Sequence, residues 1–274
     1  MAETENYYKL GLTGWPLEHS LSPFIHLEFL KSCGLRGEYE LYPMMPGQLI
    51  NNALILLETG ITGLNVTYPH KAAAYGICDE IMGDASVIGV INTVHRIDGV
   101  TYGYNTDICG FRHLLSLLSP PEPFFIVGAG GVALAVDLVL SSDGAESVVF
   151  SRNPEAWRGN SPARELDEIE SALLKTRDCT VINATTLGWM NNDSFPVDAE
   201  SLKDRFFIDL NYNRFWKWRN LLNTNSSRVF TGESMLVYQA AESFRIWTEI
   251  MPETEDVLLM IQHMREKDDI NGAY

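Results

Sequence analysis

The sequence predicts an α/β protein with two domains: an N-terminal one on a mostly parallel sheet, a second parallel α/β one, and helices that complete the chain. Three observations predict this. Short apolar runs alternate with helix-period segments in both halves, the rhythm of parallel sheets. The stretch Ser119 to Pro123, Ser-Pro-Pro-Glu-Pro, interrupts that rhythm and reads as a linker. The 274 residues are 46% hydrophobic and 11% aromatic, enough to bury a core in each of two domains.

In order along the chain, Tyr7 to Trp15 reads as a strand and Pro23 to Cys33 as a helix, followed by a strand over Glu38 to Met44. A helix over Gln48 to Thr59 and a strand over Gly63 to Tyr68 come next, with a further helix opening at Pro69. Val90 to Asn105 reads as a hairpin because Asp98-Gly99 supplies a two-residue turn of the type that demands positive φ. A helix from Ile108 to Leu118 then meets the linker. Later strands are expected at Phe124 to Val127, Glu146 to Ser151, Thr180 to Thr185 and Arg205 to Leu210. A helix over Ser234 to Thr248 and a polar helix close the chain. The expected division is 1–119, 120–233 and 234–274, the last packing back on the first, with ligands in a cleft between the two series.

Composition excludes several functions. A net charge of −16 repels phosphate backbones, so nucleic acid is not an expected partner. Cys33, Cys78, Cys109 and Cys179 form no Cys-x-x-Cys pair and read as buried small hydrophobes. No two of the six histidines have His-x-x-x-His spacing, so no metal is expected. There is no apolar leader and no apolar run of membrane-spanning length, so neither export nor membrane insertion is expected; the expectation is a cytoplasmic protein, monomer or homodimer, whose partner is a small molecule.

The buried-strand pattern Phe124 to Val127 runs into Gly128-Ala129-Gly130-Gly131-Val132-Ala133 and then an apolar helix. This is the Gly-x-Gly-x-x-Ala form of the dinucleotide fingerprint of a Rossmann domain. Gly128 permits the tight turn, Gly130 the approach of a pyrophosphate, and Ala133 close packing of helix on strand. Amides at the helix N-terminus would hold the anion. The second strand ends in Ser151-Arg152 rather than in an acid, which favours the 2′-phosphate of NADP over the free ribose of NAD.

Two strand-to-helix turns in the first half carry polar groups. His19-Ser20-Leu21-Ser22-Pro23 offers two hydroxyls, with Ser22 as N-cap and Pro23 as first helical residue, and could hold a carboxylate. Asn65-Val66-Thr67-Tyr68-Pro69-His70-Lys71 puts a lysine in a first helical turn, where the positive end of the dipole repels it. Asn92-Thr93 and Asn105-Thr106-Asp107 follow at strand ends. Asp107 could face Lys71 and keep it charged, or could cap the following helix.

These segments together resemble the shikimate dehydrogenase family. The match runs through Ser20 to Pro23, Asn65 to Lys71, Ile88 to Thr93, Tyr104 to Asp107, Gly128 to Gly131, Asn183 to Thr185 and Met235 to Phe244, nearly the whole chain. The resemblance implies reversible reduction of 3-dehydroshikimate to shikimate with NADPH. It implies that Lys71 and Asp107 are the catalytic pair and that Ser20 and Ser22 bind the substrate carboxylate. It likens Asn65, Thr67, Asn92 and Gln239 to hydroxyl-binding groups, and Tyr212 to the tyrosine near the substrate. On the cofactor side it implies Gly128, Ala129, Gly130, Gly131, Val132, Ser151, Arg152 and Leu210, with Gly232 beside the nicotinamide.

The chain departs from the family pattern at Asn153, Ala156, Thr186, Trp189 and Arg214, all on the cofactor side. A quinate or aminoshikimate dehydrogenase using NAD or NADP is therefore a second reading, and a binding protein without turnover a third.

Overall fold

The computed structural model describes residues 6–189, 193–212, 222 and 228–271. The chain forms two compact units, residues 1–110 with 236–274, and residues 111–235.

Unit 1 is built on a six-stranded sheet in the order β2-β1-β3-β5-β6-β4. The strands are β1 (Tyr7–Gly14), β2 (Arg36–Pro43), β3 (Gly63–Val66), β4 (Glu80–Ile81), β5 (Thr93–Ile97) and β6 (Val100–Tyr104). β1 runs parallel to β2 and β3, and β4 parallel to β6. β5 is antiparallel to both neighbours. The sheet is thus mixed, because the turn at Asp98 and Gly99, with φ of 48° and 85°, folds β5 and β6 into the expected hairpin. The short strand β4 and the one-turn helix α3 (Ala85–Ile88) carry too few residues to show a period.

The period-2 alternation of strands distributes the sheet's two faces. Leu64, Val66, Ile91 and Val94 share a core with Leu49, Ala53 and Leu57 of α2 (Leu49–Glu58). On β1, Leu10 and Leu12 join the core formed with α1 (Ser22–Ser32), α7 (Glu233–Thr248) and α8 (Glu255–Asn271). Gly63 has to be glycine, since a Cβ there would stand 2.5 Å from the Trp247 indole. That indole donates to the carbonyl of Val94 at 2.9 Å and so clamps α7 to β3 and β5. Among the described residues no helix is long and apolar enough to cross a membrane.

His26 lies fully buried in this core, stacked on Tyr39 with centroids 4.3 Å apart. Burial pushes its pKa down to about 3, and the nearby Asn65 side chain opposes this only weakly. Neither ring nitrogen has a hydrogen bond of good geometry among the described residues. The unfolded chain takes up a proton below about pH 6.5 while the folded one stays neutral to about pH 3, so stability falls as pH drops through that window. The slope is up to about 1.4 kcal/mol per pH unit. His26→Phe keeps the stack and removes this titration, so its Tm should exceed the parent's by more at pH 5 than at pH 7.5. Thermal unfolding at both values checks this, and an equal difference at the two would exclude His26 as the titrating group.

Unit 2 is an all-parallel sheet in the order β12-β11-β10-β7-β8-β9. Its strands are β7 (Phe124–Val127), β8 (Ser147–Ser151), β9 (Ala163–Glu165), β10 (Thr180–Asn183), β11 (Phe206–Asp209) and β12 (Arg228–Thr231). This is the doubly wound Rossmann order, with its switch point between β7 and β10. Strands β7, β8, β10 and β11 are almost wholly buried, which explains why they read as continuous apolar runs. Helices α5 (Gly131–Ser142) and α6 (Ile169–Lys175) belong to this unit. α4 (Asp107–Leu118) contains the division between units at Gly110 and Phe111, ahead of the proline-rich stretch. The cysteines differ from expectation: Cys179 is buried, but Cys109 is exposed on α4, and Cys33 and Cys78 are half-buried.

Candidate active site

The polar segments of unit 1 converge because of strand direction. β1, β3 and β6 point the same way and β5 the opposite way. The residues after Gly14, Val66 and Tyr104 and those just before Thr93 therefore share one end of the sheet. For the parallel strands this is the carboxyl end, where open α/β sheets bind ligands.

The segment after Val66 does not open an α-helix. It makes a cis Tyr68–Pro69 bond, two turns, and a short 3₁₀ helix over Ala73–Ile77. The helix-dipole argument for Lys71 therefore does not apply. Backbone pairing fixes Lys71 instead, since its carbonyl accepts from Ile91 at 2.9 Å. The neighbouring His70 is buried with Nε2 2.6 Å from the Met44 carbonyl. A carbonyl can only accept, so Nε2 carries the proton.

Lys71 Nζ donates to Asp107 Oδ2 at 2.6 Å, with side-chain exposures of 15% and 7%. Asp107 is the first residue of α4 rather than its cap. Its amide donates to Asn105 Oδ1 at 3.1 Å, so the asparagine takes the capping role and frees the carboxylate. A carboxylate in a first helical turn is favoured by the dipole.

Around this pair lies a buried hydrogen-bonded layer. Asn92 accepts the Thr106 amide at 2.7 Å on Oδ1, which fixes its carboxamide orientation. Its Nδ2 is shared among Thr106 Oγ1 at 2.9 Å, Asp107 Oδ1 at 3.0 Å and Gln239 Oε1 at 3.4 Å. Gln239 comes from α7 and also accepts from Thr106 Oγ1 at 3.3 Å. Asn65 Nδ2 reaches the Asn92 carbonyl, Thr93 Oγ1 and Ser243 Oγ at 3.0 to 3.2 Å. Its Oδ1 accepts from Tyr39 at 2.8 Å. Both donor hydrogens of Asn65 are thus engaged, leaving one acceptor lone pair for any ligand.

Thr67, half-buried after β3, pairs its amide with the Thr13 carbonyl at 2.9 Å. Ser22 is the first residue of α1 and not its cap, with Leu21 preceding it. Ser20 Oγ accepts the Ser22 amide at 3.3 Å, so it is Ser20 that satisfies the first turn. Its hydroxyl proton is left to donate elsewhere.

In unit 2, Gly128 has φ of +111°, and a Cβ there would meet Thr185 Cγ2 at 2.9 Å and the Ala184 carbonyl at 3.0 Å. Gly130 caps α5 with extended backbone and no side-chain bond, and a Cβ on it would point into open space. Ala133 is fully buried, as the fingerprint requires. Ala129 and Gly130 are exposed, and Gly131 and Val132 half-buried. This uncapped terminus beside a glycine cradle fits a pyrophosphate.

Ser151 is buried at the end of β8 and accepts the Asn153 amide at 3.2 Å. Arg152 is exposed and lines a cavity of about 420 Å³ with Glu165, Leu166, Asp167 and Pro196. After β10 and β11, Asn183, Thr185, Asp209 and Asn211 interlock two loops through hydrogen bonds of 2.6 to 3.1 Å. They hold Tyr212 edge-on to Trp189 with centroids 5.0 Å apart. Leu210 pairs its amide with the Asn183 carbonyl at 3.1 Å. Gly232 leaves no room for a Cβ against the Leu210 carbonyl. Arg214 lies outside the described residues.

Sequence reasoning missed Tyr39 and Ser243. A signal existed for Ser243, which follows Gln239 by one helical turn and so shares its face. Tyr39 carried none beyond strand alternation.

Residues 12–94 match the family model of the shikimate dehydrogenase substrate binding domain, and residues 232–258 that of the shikimate 5'-dehydrogenase C-terminal domain. The chain is 33% identical over 250 residues to the shikimate dehydrogenase (NADP(+)) of Thermus thermophilus, covering 89% of this chain and 94% of that protein. It is 34% identical over 287 residues to that of Methanopyrus kandleri, covering 93% and 96%. Among solved structures it is similar to a Thermus thermophilus shikimate 5-dehydrogenase in complex with NADP(H) and shikimate. That likeness has a TM-score of 0.80 and 29% identity, over 93% of this chain and 99% of that one. The shikimate dehydrogenase from Aquifex aeolicus gives a TM-score of 0.82 at 26% identity, over 93% and 97%. With a lysine-aspartate pair at the ligand end of one sheet and a dinucleotide turn in the other, this chain belongs to the shikimate dehydrogenase family.

Proposed function

We propose that the protein is a cytoplasmic NADP-dependent shikimate dehydrogenase. It interconverts 3-dehydroshikimate and shikimate in aromatic amino-acid biosynthesis. The observation that carries the reading is the 2.6 Å Lys71–Asp107 pair, nearly buried and braced by Asn92.

The nicotinamide, when bound, supplies or accepts the hydride. The chain's residues manage the oxygen and its proton. One Lys71 N–H is committed to Asp107, and the ammonium's other donors are available to the substrate's reacting oxygen. On reduction Lys71 meets the charge growing on that oxygen and gives up a proton to it; on oxidation it receives one. Asp107, held on one oxygen by Asn92 and on the other by Lys71, keeps the amine aimed and can accept from a neighbouring ring hydroxyl. Asn65, Thr67, Asn92, Gln239 and Tyr212 are assigned to the ring hydroxyls, and Ser20 and Ser22 to the carboxylate. Residues Gly128 to Val132 are assigned to the pyrophosphate, Ser151 and Arg152 to the adenosine 2′-phosphate, and Leu210 and Gly232 to the nicotinamide end.

Arg152 shares its cavity with the carboxylates of Glu165 and Asp167, which offset part of its attraction for a phosphate. Arg152→Ala should raise KM for NADP⁺ about tenfold and leave KM for NAD⁺ unchanged, the loss of one charge-assisted contact. The deciding experiment measures kcat/KM for shikimate and quinate, each with NADP⁺ and NAD⁺. Shikimate with NADP⁺ is expected to lead, and a clear preference for quinate, or no turnover of shikimate, would overturn the proposal.

A further inference from the structure

Every strand of unit 2 runs the same way, so the turn after β7, Arg152 after β8 and Glu165 at the end of β9 share the carboxyl edge of one sheet. A dinucleotide with its pyrophosphate on the Gly128 to Gly131 turn lays its adenosine toward the next strand, where an acid at the strand end ordinarily holds the ribose 2′-hydroxyl. That place is Ser151-Arg152 in this chain. The acid stands one strand further out, since Glu165 pairs in register with Ser151. Glu165 and Asp167 line the cavity of about 420 Å³ that also contains Arg152, and all three side chains are exposed to solvent. The Glu165 carboxylate is held in place, because it accepts the Glu168 amide in a capping box at the start of the 3₁₀ turn Leu166–Glu168. Among the described residues, the side chains of Arg152 and Asp167 have no hydrogen-bond or ion-pair partner.

We infer that Glu165 and Asp167 are selectivity-determining residues, which hold down the preference for NADP over NAD that Arg152 sets up. The two cofactors differ at one group. A 2′-phosphate carries close to two negative charges at neutral pH, and a ribose 2′-hydroxyl carries none. Arg152 attracts that phosphate, and the two carboxylates repel it. With two acids to one base the cavity is net negative, so the phosphate is admitted by direct contact with the guanidinium against a repelling background. A free hydroxyl meets no such repulsion and is able to donate to either carboxylate. Discrimination is a difference between two affinities, and it shrinks when the favoured ligand is opposed as well as attracted. The site therefore takes both dinucleotides, with NADP ahead by less than a guanidinium alone would give.

The inference rests on the cofactor site of the proposed function but not on its substrate, so dinucleotide binding is measured without turnover. Calorimetric titration of the full chain with NADP⁺ and with NAD⁺ gives the two Kd values, at about 50 mM salt and again at about 500 mM, where exposed charges are screened. Glu165→Gln and Asp167→Asn keep the shape of each side chain, and the glutamine still accepts the Glu168 amide. At low salt NADP⁺ should bind about threefold tighter to each, the size of one exposed charge interaction. In the double variant the gain should reach about tenfold, while Kd for NAD⁺ stays within about twofold or weakens. At high salt the double variant's gain should fall below about threefold. An unchanged or weaker NADP⁺ affinity in the double variant overturns the inference. So does an equal gain for both dinucleotides, the mark of an altered loop rather than of charge, and so does a gain indifferent to salt. A parent chain that binds neither dinucleotide overturns it together with the cofactor assignment. Failure of the parent to oxidise shikimate while it binds NADP⁺ counts against the proposed function alone, and the Kd values then decide the role of the two acids.

Discussion

Lys71→Ala should lower kcat for shikimate oxidation by about 10²- to 10⁴-fold, with a much smaller change in KM. The split follows from the geometry. Lys71 commits one donor to Asp107 in the resting protein, and in the proposed mechanism its stronger interaction with the reacting oxygen arises only as charge develops there, so its loss falls on the transition state. The mutation also strands a carboxylate only 7% exposed, so some loss of stability accompanies it. Steady-state kinetics alongside thermal unfolding separates the two effects. A variant with near-normal kcat would remove Lys71 from the mechanism.

Gly128→Val should abolish useful cofactor binding, weakening NADP⁺ by at least about 100-fold, because the turn that leads into α5 cannot accept a branched side chain. The backbone sits at φ +111°, and the Ala184 carbonyl stands 3.0 Å from where a Cβ would be. A strained position of this kind costs roughly 1 to 3 kcal/mol before the clash is counted. The changes centre on the β7–α5 turn of unit 2, so shikimate should still bind to the groups of unit 1. Calorimetric titrations with NADP⁺ and with shikimate check both halves. Undiminished NADP⁺ affinity would refute the assignment of this turn.

The strands and the dinucleotide turn were legible because their signals are local. An apolar run followed by Gly-x-Gly-x-x-Ala fixes strand, turn and helix within a dozen or so residues. The Asp98-Gly99 hairpin was legible for the same reason. What failed was local capping chemistry. At Ser22 and Asp107 the expected caps became first helical residues, because Ser20 and Asn105, each two positions earlier, bond the same amides. At Pro69 a cis bond and a 3₁₀ turn replaced a helix, which no periodicity announces. Convergence of Lys71, Asp107, Asn92 and Gln239 depends on strand order and on the docking of α7, long-range facts visible in the sequence only through resemblance. Tyr39 entered the site through a contact with Asn65 across the sheet, with no motif to mark it.

The clamp of Trp247 on Gly63 and Val94 has a consequence for biosynthesis. Unit 1 is assembled from two stretches of chain, and all of residues 111–235 is translated between them. On the ribosome, Lys71 and Asp107 therefore emerge early, beside a sheet face that still lacks its indole and its covering helix. Every residue of the nucleotide-binding half has been made before Gln239, Ser243 and Trp247 appear. The half that is begun first is completed last, and until then the apolar face that α7 covers stays open, the kind of surface through which incomplete chains aggregate.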